Sequence, residues 1–181
     1  FEQRYLDLVK DTYDNNKLMG MVQSKRNTNE IYKVGCLGKI SDFLETGDGR
    51  ILISLVGMTR FEIIKEVENK KKYREFEVNY DKYYQDFNSK DNTESEIKVL
   101  RDLKNKTKIF FEKNNLILNW KEFDKLDISQ QINTIAMISP VSNEEKQKLL
   151  ETKTFLEKTN TLSEIIEFYL HDEDGFKGSI Q

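Results

Sequence analysis

The spacing of apolar residues divides the chain into a strand-rich first part and a helical second part. Helical spacing over residues 1–14 predicts a first helix. Short apolar runs then predict strands over residues 18–24, 32–45, 50–59, 61–67 and 73–83. Gly47-Asp48-Gly49 predicts a hairpin turn, and Gly35, Gly38 and Gly57 interrupt the runs as glycines do at bulges and barrel corners. The first part therefore predicts a small, partly closed β-barrel.

Helical periodicity and capping signals organise the second part. Capping boxes, in which Glu follows Ser or Thr by three residues, predict helix starts at Thr93, Ser142 and Thr154. Apolar residues at helical spacing predict a further helical stretch from Trp120 to Ala136. The predicted organisation is a β-rich barrel over 1–83, a linker over 84–92, a helical bundle over 93–171 and a flexible tail over 172–181. Strands followed by helices predict the α+β class.

Composition narrows the possible partners and the cellular setting. The chain of 181 residues has a net charge of -3, so it has no global attraction for nucleic-acid phosphates. Its single cysteine, Cys36, excludes an intrachain disulfide and indicates a reducing, cytoplasmic setting. The apolar context of Cys36 predicts a small buried hydrophobe. No apolar run reaches the ~20 residues that cross a bilayer, so no membrane association is predicted.

The sequence offers no catalytic, cofactor-binding or metal-ligating constellation. It lacks the G-x-x-x-x-G-K-[ST] loop, which excludes ATP hydrolysis of that type. One cysteine and one histidine, His171, do not suffice for the usual structural zinc site. Ser41, Ser54 and Ser139 lack a glycine-rich elbow. We predict a module that is not an enzyme and uses no cofactor. The alternative is an unrecognised small-molecule enzyme, which a pocket containing carboxylates of perturbed pKa would favour.

Four segments of the first part, in matching order and spacing, resemble the N-terminal substrate-binding domain of Lon protease. They are FEQRY at residues 1–5, LMGM at 18–21, YKVGCLGKI at 32–40, and DGR with GMTRF within 48–63. The resemblance covers residues 1–82, and we expect its signature residues mostly to maintain the fold. These residues are Phe1, Glu2, Arg4, Tyr5, Gly35, Gly38, Asp48, Gly49, Arg50, Gly57, Arg60 and Phe61. We expect Arg50 and Arg60 to pair with Glu2 or with backbone carbonyls.

The resemblance implies a PUA-like β-pseudobarrel followed by a C-terminal helical bundle. It also implies a protein-binding role in protein quality control, with unfolded polypeptide or a protein partner as the ligand. The chain resembles a free-standing form of that domain, without the ATPase and the peptidase of Lon. The family normally places a strand and a proline-rich segment ahead of F-E-x-R-Y, so we expect the N-terminal barrel strand to be missing here. Such a gap would leave a barrel edge unpaired.

The expected binding surface is a groove where the barrel meets the helices. Aromatic residues of the last strand and the linker are the candidate polypeptide contacts: Tyr73, Phe76, Tyr80, Tyr83 and Phe87. The alternative function is that of an RNA-binding PUA-like module, which a basic face around residues 70–74 would favour and the net charge opposes.

Overall fold

The computed structural model describes residues 2–87 and 93–171. Phe1, residues 88–92 of the predicted linker and the predicted tail lie outside the described residues. The chain divides into two compact units, residues 1–89 and 90–181. The first unit contains α1 (Gln3–Tyr13), β1 (Leu18–Met21), β2 (Val34–Glu45), β3 (Ile51–Val67), β4 (Glu75–Asn79) and a 3₁₀-helix (Asp81–Phe87). The second contains α2 (Glu94–Lys113), α3 (Trp120–Phe123), α4 (Ile128–Ile138), α5 (Asn143–Glu151) and α6 (Phe155–His171).

The strands form one antiparallel sheet in the order β1-β2-β3-β4. β3 runs unbroken through Gly57, so the prediction of two separate strands over 50–59 and 61–67 is wrong. The reason is a bulge: Gly38 pairs with Gly57 and Leu37 with Thr59, which leaves Met58 as an extra residue. A bulge accommodates the irregular position while hydrogen bonding continues on both sides.

The predicted hairpin turn joins β2 to β3. Gly49 adopts φ +80°, a conformation that residues with a Cβ rarely take. The Thr46 N–H donates to the Arg50 carbonyl at 2.9 Å and closes the turn. The Thr46 hydroxyl and the Arg50 N–H both donate to Asp48, and these bonds lower the pKa of the Asp48 carboxyl. The D-G-R residues of the resemblance thus serve the turn.

A close contact between Phe61 and two glycines explains a second part of the resemblance. Gly35 pairs with Phe61 across β2 and β3, and a Cβ at Gly35 would lie 2.6 Å from the Phe61 ring and 2.6 Å from the Met21 carbonyl oxygen. A Cβ at Gly20 would meet the same ring at 3.2 Å. Glycine at these positions lets the ring lie against the backbone, where Phe61 is 3% exposed.

The end of β4 differs from the predicted strand over 73–83. The Asn79 side chain accepts the Asp81 N–H at 2.6 Å, a local bond that favours a turn over a continued strand. The 3₁₀-helix follows and includes residues 84–87 of the predicted linker.

Capping determines the helices of the second unit. The predicted boxes at Thr93 and Ser142 form, and the Thr154 hydroxyl accepts the Glu157 N–H at 3.1 Å. A further box between Asp127 and Gln130 begins α4, so the stretch predicted over 120–136 contains two helices. The core consists of apolar residues from all five helices and the segment before α5: Leu100, Leu103, Phe110, Phe111, Phe123, Ile132, Ile135, Val141, Leu149, Leu162, Ile165 and Ile166. No helix among residues 2–87 and 93–171 is both long and apolar enough to cross a membrane.

Candidate functional site

The β2–β3 hairpin carries apolar side chains on both of its faces. Leu44 pairs with Leu52, Asp42 with Ser54, and Lys39 with Val56, and residues paired in this way share one face of the ribbon. We call these six residues the outer hairpin face. Its three large apolar side chains are exposed: Leu44 by 59%, Leu52 by 58% and Val56 by 54%.

The opposite face of the same hairpin packs into the first unit. Ile51, Ile53 and Leu55 alternate with the residues of the outer hairpin face and lie against the buried cluster of Val9, Met19 and Ile40. The Tyr13 ring of α1 packs on Phe43 with a centroid distance of 4.6 Å. The hairpin is therefore held from behind by α1, while the outer hairpin face is presented to solvent.

The sequence contained a signal for the outer hairpin face that the strand prediction did not use. In the run from Ile51 to Val56, apolar residues occupy both the odd-numbered and the even-numbered positions. A half-buried strand alternates between apolar and polar residues. Apolar residues at both odd and even positions therefore indicate a second apolar face. Leu52 and Val56 supply that face.

Two of the five predicted aromatic contacts are engaged within the first unit. The Tyr73 hydroxyl donates to Asp11 Oδ2 at 2.6 Å, and burial together with this bond raises the pKa of Tyr73. The Phe76 ring lies under the Arg74 guanidinium at 4.9 Å. Both side chains are half-buried. The Tyr73 bond attaches the turn before β4 to α1, whereas the Phe76 contact is local to β4.

The other three aromatic candidates belong to or adjoin the 3₁₀-helix. Tyr83 is fully buried beneath the Arg60 guanidinium, 4.3 Å from its ring centroid, so its side chain is not accessible to a polypeptide. Tyr80 and Phe87 contact each other edge to face at 6.2 Å. Phe87 is exposed and Tyr80 is half-buried, and Tyr84 is a further exposed aromatic that the prediction did not name.

Arg60 fixes the 3₁₀-helix to β3. Asp86 Oδ2 accepts the Arg60 N–H at 3.0 Å and Nε–H at 2.9 Å, and Asp86 Oδ1 accepts Nη2–H at 2.8 Å. The expected partners of Arg50 and Arg60 were Glu2 or backbone carbonyls, whereas Arg60 forms its ion pair with Asp86, which lies 26 residues further along the chain. Arg50 pairs with Asp48 at 3.1 Å, and Glu2 pairs with Arg4. Arg4, Arg50 and Arg60 thus form ion pairs within the first unit.

Three of the four basic residues at 70–74, which would favour RNA binding, pair with acidic neighbours. Arg74 donates through two nitrogens to Glu66, at 2.8 and 2.6 Å, which lowers the pKa of Glu66. Lys71 pairs with Glu75 at 2.7 Å, and Lys72 pairs with Asp7 of α1 at 3.4 Å. A surface of alternating ion pairs attracts phosphate groups much less than a basic patch does.

Cys36 differs from its expected buried state. It is half-buried, and its Sγ donates to the Leu37 carbonyl at 3.6 Å. Its neighbour across β2 and β3 is Arg60. Within the described parts of the chain, no group of three or more histidine, cysteine or acidic side chains is arranged to hold a metal ion.

Comparison with known proteins places the chain in a family. Residues 1–167 match the substrate-binding domain of the ATP-dependent protease La (LON). No curated protein matches the sequence.

Solved structures of two bacterial Lon domains resemble the fold. The N-terminal domain of the Mycobacterium avium complex Lon protease superposes with a TM-score of 0.66 at 16% identity, covering 92% of this chain and 87% of that one. A Lon N-terminal domain protein from Xanthomonas campestris gives a TM-score of 0.60 at 17% identity, covering 93% of this chain and 85% of that one. The predicted α+β class is confirmed: a four-stranded antiparallel sheet is followed by helices, and the fold matches these Lon N-terminal domain structures. The chain belongs to the Lon substrate-binding domain family.

Proposed function

We propose that this chain is a non-enzymatic module that binds unfolded polypeptide or a protein partner through the outer hairpin face. Membership in a substrate-binding family supports a binding role. The observation that carries the proposal is the exposure of Leu44, Leu52 and Val56. Each is more than half exposed, on a ribbon whose opposite face packs against α1. Clustered exposed apolar residues mark interaction sites more often than isolated ones do.

The size of the outer hairpin face argues for weak binding. Complete burial of a Leu or Val side chain contributes about 1.5–3 kcal/mol, and these three are already partly covered. Ordering a flexible ligand opposes this gain. We therefore expect a dissociation constant on the order of micromolar or weaker, with no nucleotide required.

Tyr80 and Phe87 are retained as additional proposed contacts. The exposed Phe87 ring and its edge-to-face partner Tyr80 form a small aromatic surface on the 3₁₀-helix. Aromatic side chains contribute large contact area at low entropic cost, so they suit recognition of varied sequences. Their role is tested separately from that of the outer hairpin face, by Phe87→Ser.

The acid–base pairing around residues 70–74 speaks against the RNA-binding alternative. We also propose that the module does not hydrolyse ATP, because its sequence lacks a phosphate loop. We propose that it does not cleave proteins, because Ser41, Ser54 and Ser139 lack a glycine-rich elbow. A reducing, cytoplasmic setting is proposed from the single cysteine.

The test is a fluorescence titration of a labelled, permanently unfolded protein with the purified chain. We expect saturable binding that the double variant Leu44→Ser/Leu52→Ser weakens at least fivefold. Ile64→Ser is the matched control, because Ile64 lies on the same strand, is similarly exposed and is not part of the outer hairpin face. No binding of the unfolded protein at high micromolar concentration, together with clear binding of a single-stranded RNA, would contradict the proposal.

A further inference from the structure

The outer hairpin face is divided into three rows of different chemistry. The first row is Leu44 with Leu52, the second is Asp42 with Ser54, and the third is Lys39 with Val56. The middle row, Asp42 with Ser54, therefore separates the two apolar residues of the first row from Val56 in the third. The division is not visible in the sequence, because a one-residue bulge at Ser41 sets which β2 residues face outward.

The spacing of the rows fits an extended ligand. Leu52, Ser54 and Val56 are successive residues on one face of β3, and a strand rises about 3.4 Å per residue, so successive rows lie roughly 7 Å apart. An extended peptide has the same rise and directs alternate side chains to one side. Its residues i, i+2 and i+4 match the three rows, whereas a helix brings residues i and i+4 to within about 6 Å of each other.

The charge of the middle row selects among extended ligands. Asp42 is exposed, and its Oδ1 accepts the Phe43 N–H at 3.1 Å. Asp42 forms no ion pair with any residue among 2–87 and 93–171. A cationic side chain of the ligand placed over this row meets a carboxylate, while an acidic one is repelled. Lys39, in the third row, can extend its aliphatic stem beside Val56 and add apolar surface there.

We infer that the outer hairpin face recognises extended segments with apolar residues at positions i and i+4 and a basic residue at i+2. The inference rests on the proposed function and specifies its ligand. The pattern reads the same in both chain directions, so it does not require a fixed ligand polarity. Segments of this type occur in unfolded chains of many proteins, which suits a module that captures diverse sequences.

The test uses nine-residue fluorescent peptides in a Gly-Ser-Thr background. The parent has Leu at i and i+4 and Lys at i+2; one analogue has Glu at i+2, and another moves the second Leu to i+3. We expect the Glu peptide to bind roughly threefold more weakly at low salt, as exposed ion pairs allow. The i+3 peptide directs its second Leu away from the sheet and should bind about fivefold more weakly, in line with partial loss of one apolar contact.

Asp42→Asn should abolish or reverse the difference between the Lys and Glu peptides, because Asn keeps the oxygen that accepts the Phe43 N–H, removes the charge and leaves Lys39 as the charged residue of the outer hairpin face. Glu68→Gln removes an exposed charge from the turn after β3 and serves as the control that keeps the difference. Equal binding of all three peptides, or a Lys preference that survives Asp42→Asn, would overturn the inference. If no peptide binds but the unfolded protein does, the pattern fails and the proposed function stands. If neither binds, both fail.

Discussion

The two units of the chain use their apolar residues differently. In the second unit, twelve of the described residues form one buried cluster, and its exposed apolar residues, such as Ile109, Ile117 and Met137, belong to separate segments. In the first unit, the cluster behind the hairpin has three buried members, Val9, Met19 and Ile40. The exposed residues Leu44, Leu52 and Val56 lie on one face of the β2–β3 ribbon. A helix needs one apolar stripe to pack, whereas a strand with two apolar faces needs cover on both sides, and here the outer hairpin face is left exposed.

The largest expected effect lies in the core of the second unit. Phe110→Ala should lower its free energy of unfolding by about 3–5 kcal/mol, because Phe110 is fully buried and the truncation leaves a cavity. Trp120 is the only tryptophan and packs on Phe111 and Phe123, so its fluorescence reports on this core. Leu52→Ala on the outer hairpin face is the matched control and should change stability by less than about 0.5 kcal/mol. A large loss with Leu52→Ala would show that this residue is needed for packing.

A smaller loss is expected where the backbone of the first unit is crowded. Gly35→Ala should destabilise the protein by about 1–3 kcal/mol, because the added methyl group meets both the Phe61 ring and the Met21 carbonyl. Thermal unfolding followed by circular dichroism measures the effect. Gly47→Ala is the control, since a Cβ there meets nothing within 4 Å. Equal melting temperatures for the two variants would refute the role assigned to the Gly35–Phe61 contact.

The ion pair that attaches the 3₁₀-helix should contribute less than the crowded glycine. Asp86→Asn weakens the charge-assisted bonds to Arg60, whose side chain is 11% exposed, and should cost about 1–2 kcal/mol in urea denaturation. Glu77→Gln breaks the ion pair with Lys65, in which both side chains are largely exposed. It should lower the free energy of unfolding by less than about 0.5 kcal/mol. Similar losses would mean that burial does not distinguish the two pairs.

The smallest expected change has the opposite sign. The Ser139 hydroxyl is fully buried and has no hydrogen-bond partner among the described residues. Ser139→Ala should therefore leave stability unchanged or raise it by up to about 1 kcal/mol. Thr107→Val, which removes a hydroxyl that donates to the Leu103 carbonyl at 2.8 Å, should lower stability instead. Denaturation monitored by Trp120 fluorescence compares the two variants, and a loss with Ser139→Ala would indicate a partner for its hydroxyl.

Local signals in the sequence predicted the helices and the hairpin turn well. Capping boxes depend on side chains three residues apart, so Thr93 and Ser142 could be identified without knowledge of the fold. The turn at Gly49 is equally local. The continuity of β3 was not predictable in this way, because it depends on which residues of β2 pair with Gly57 and Thr59.

The candidate site was less predictable than the fold. Tyr83 looked like a surface aromatic, but its burial depends on Arg60, which lies far from it in sequence. The outer hairpin face depends on the bulge at Ser41, which determines which side of the ribbon each β2 residue occupies. The apolar residues at odd and even positions of Ile51–Val56 indicated a second apolar face. They did not indicate that this face would be exposed.

Photo-cross-linking tests most directly whether the outer hairpin face contacts unfolded polypeptide. In a Cys36→Ser background, a cysteine introduced by Ser54→Cys carries a cross-linker at the centre of this face. Lys65→Cys carries it at another exposed position of the same strand. We predict several-fold more cross-linked product with a labelled unfolded protein from position 54 than from position 65, and competition by unlabelled unfolded protein. Equal yields from the two positions, or product that competitor does not reduce, would contradict the account.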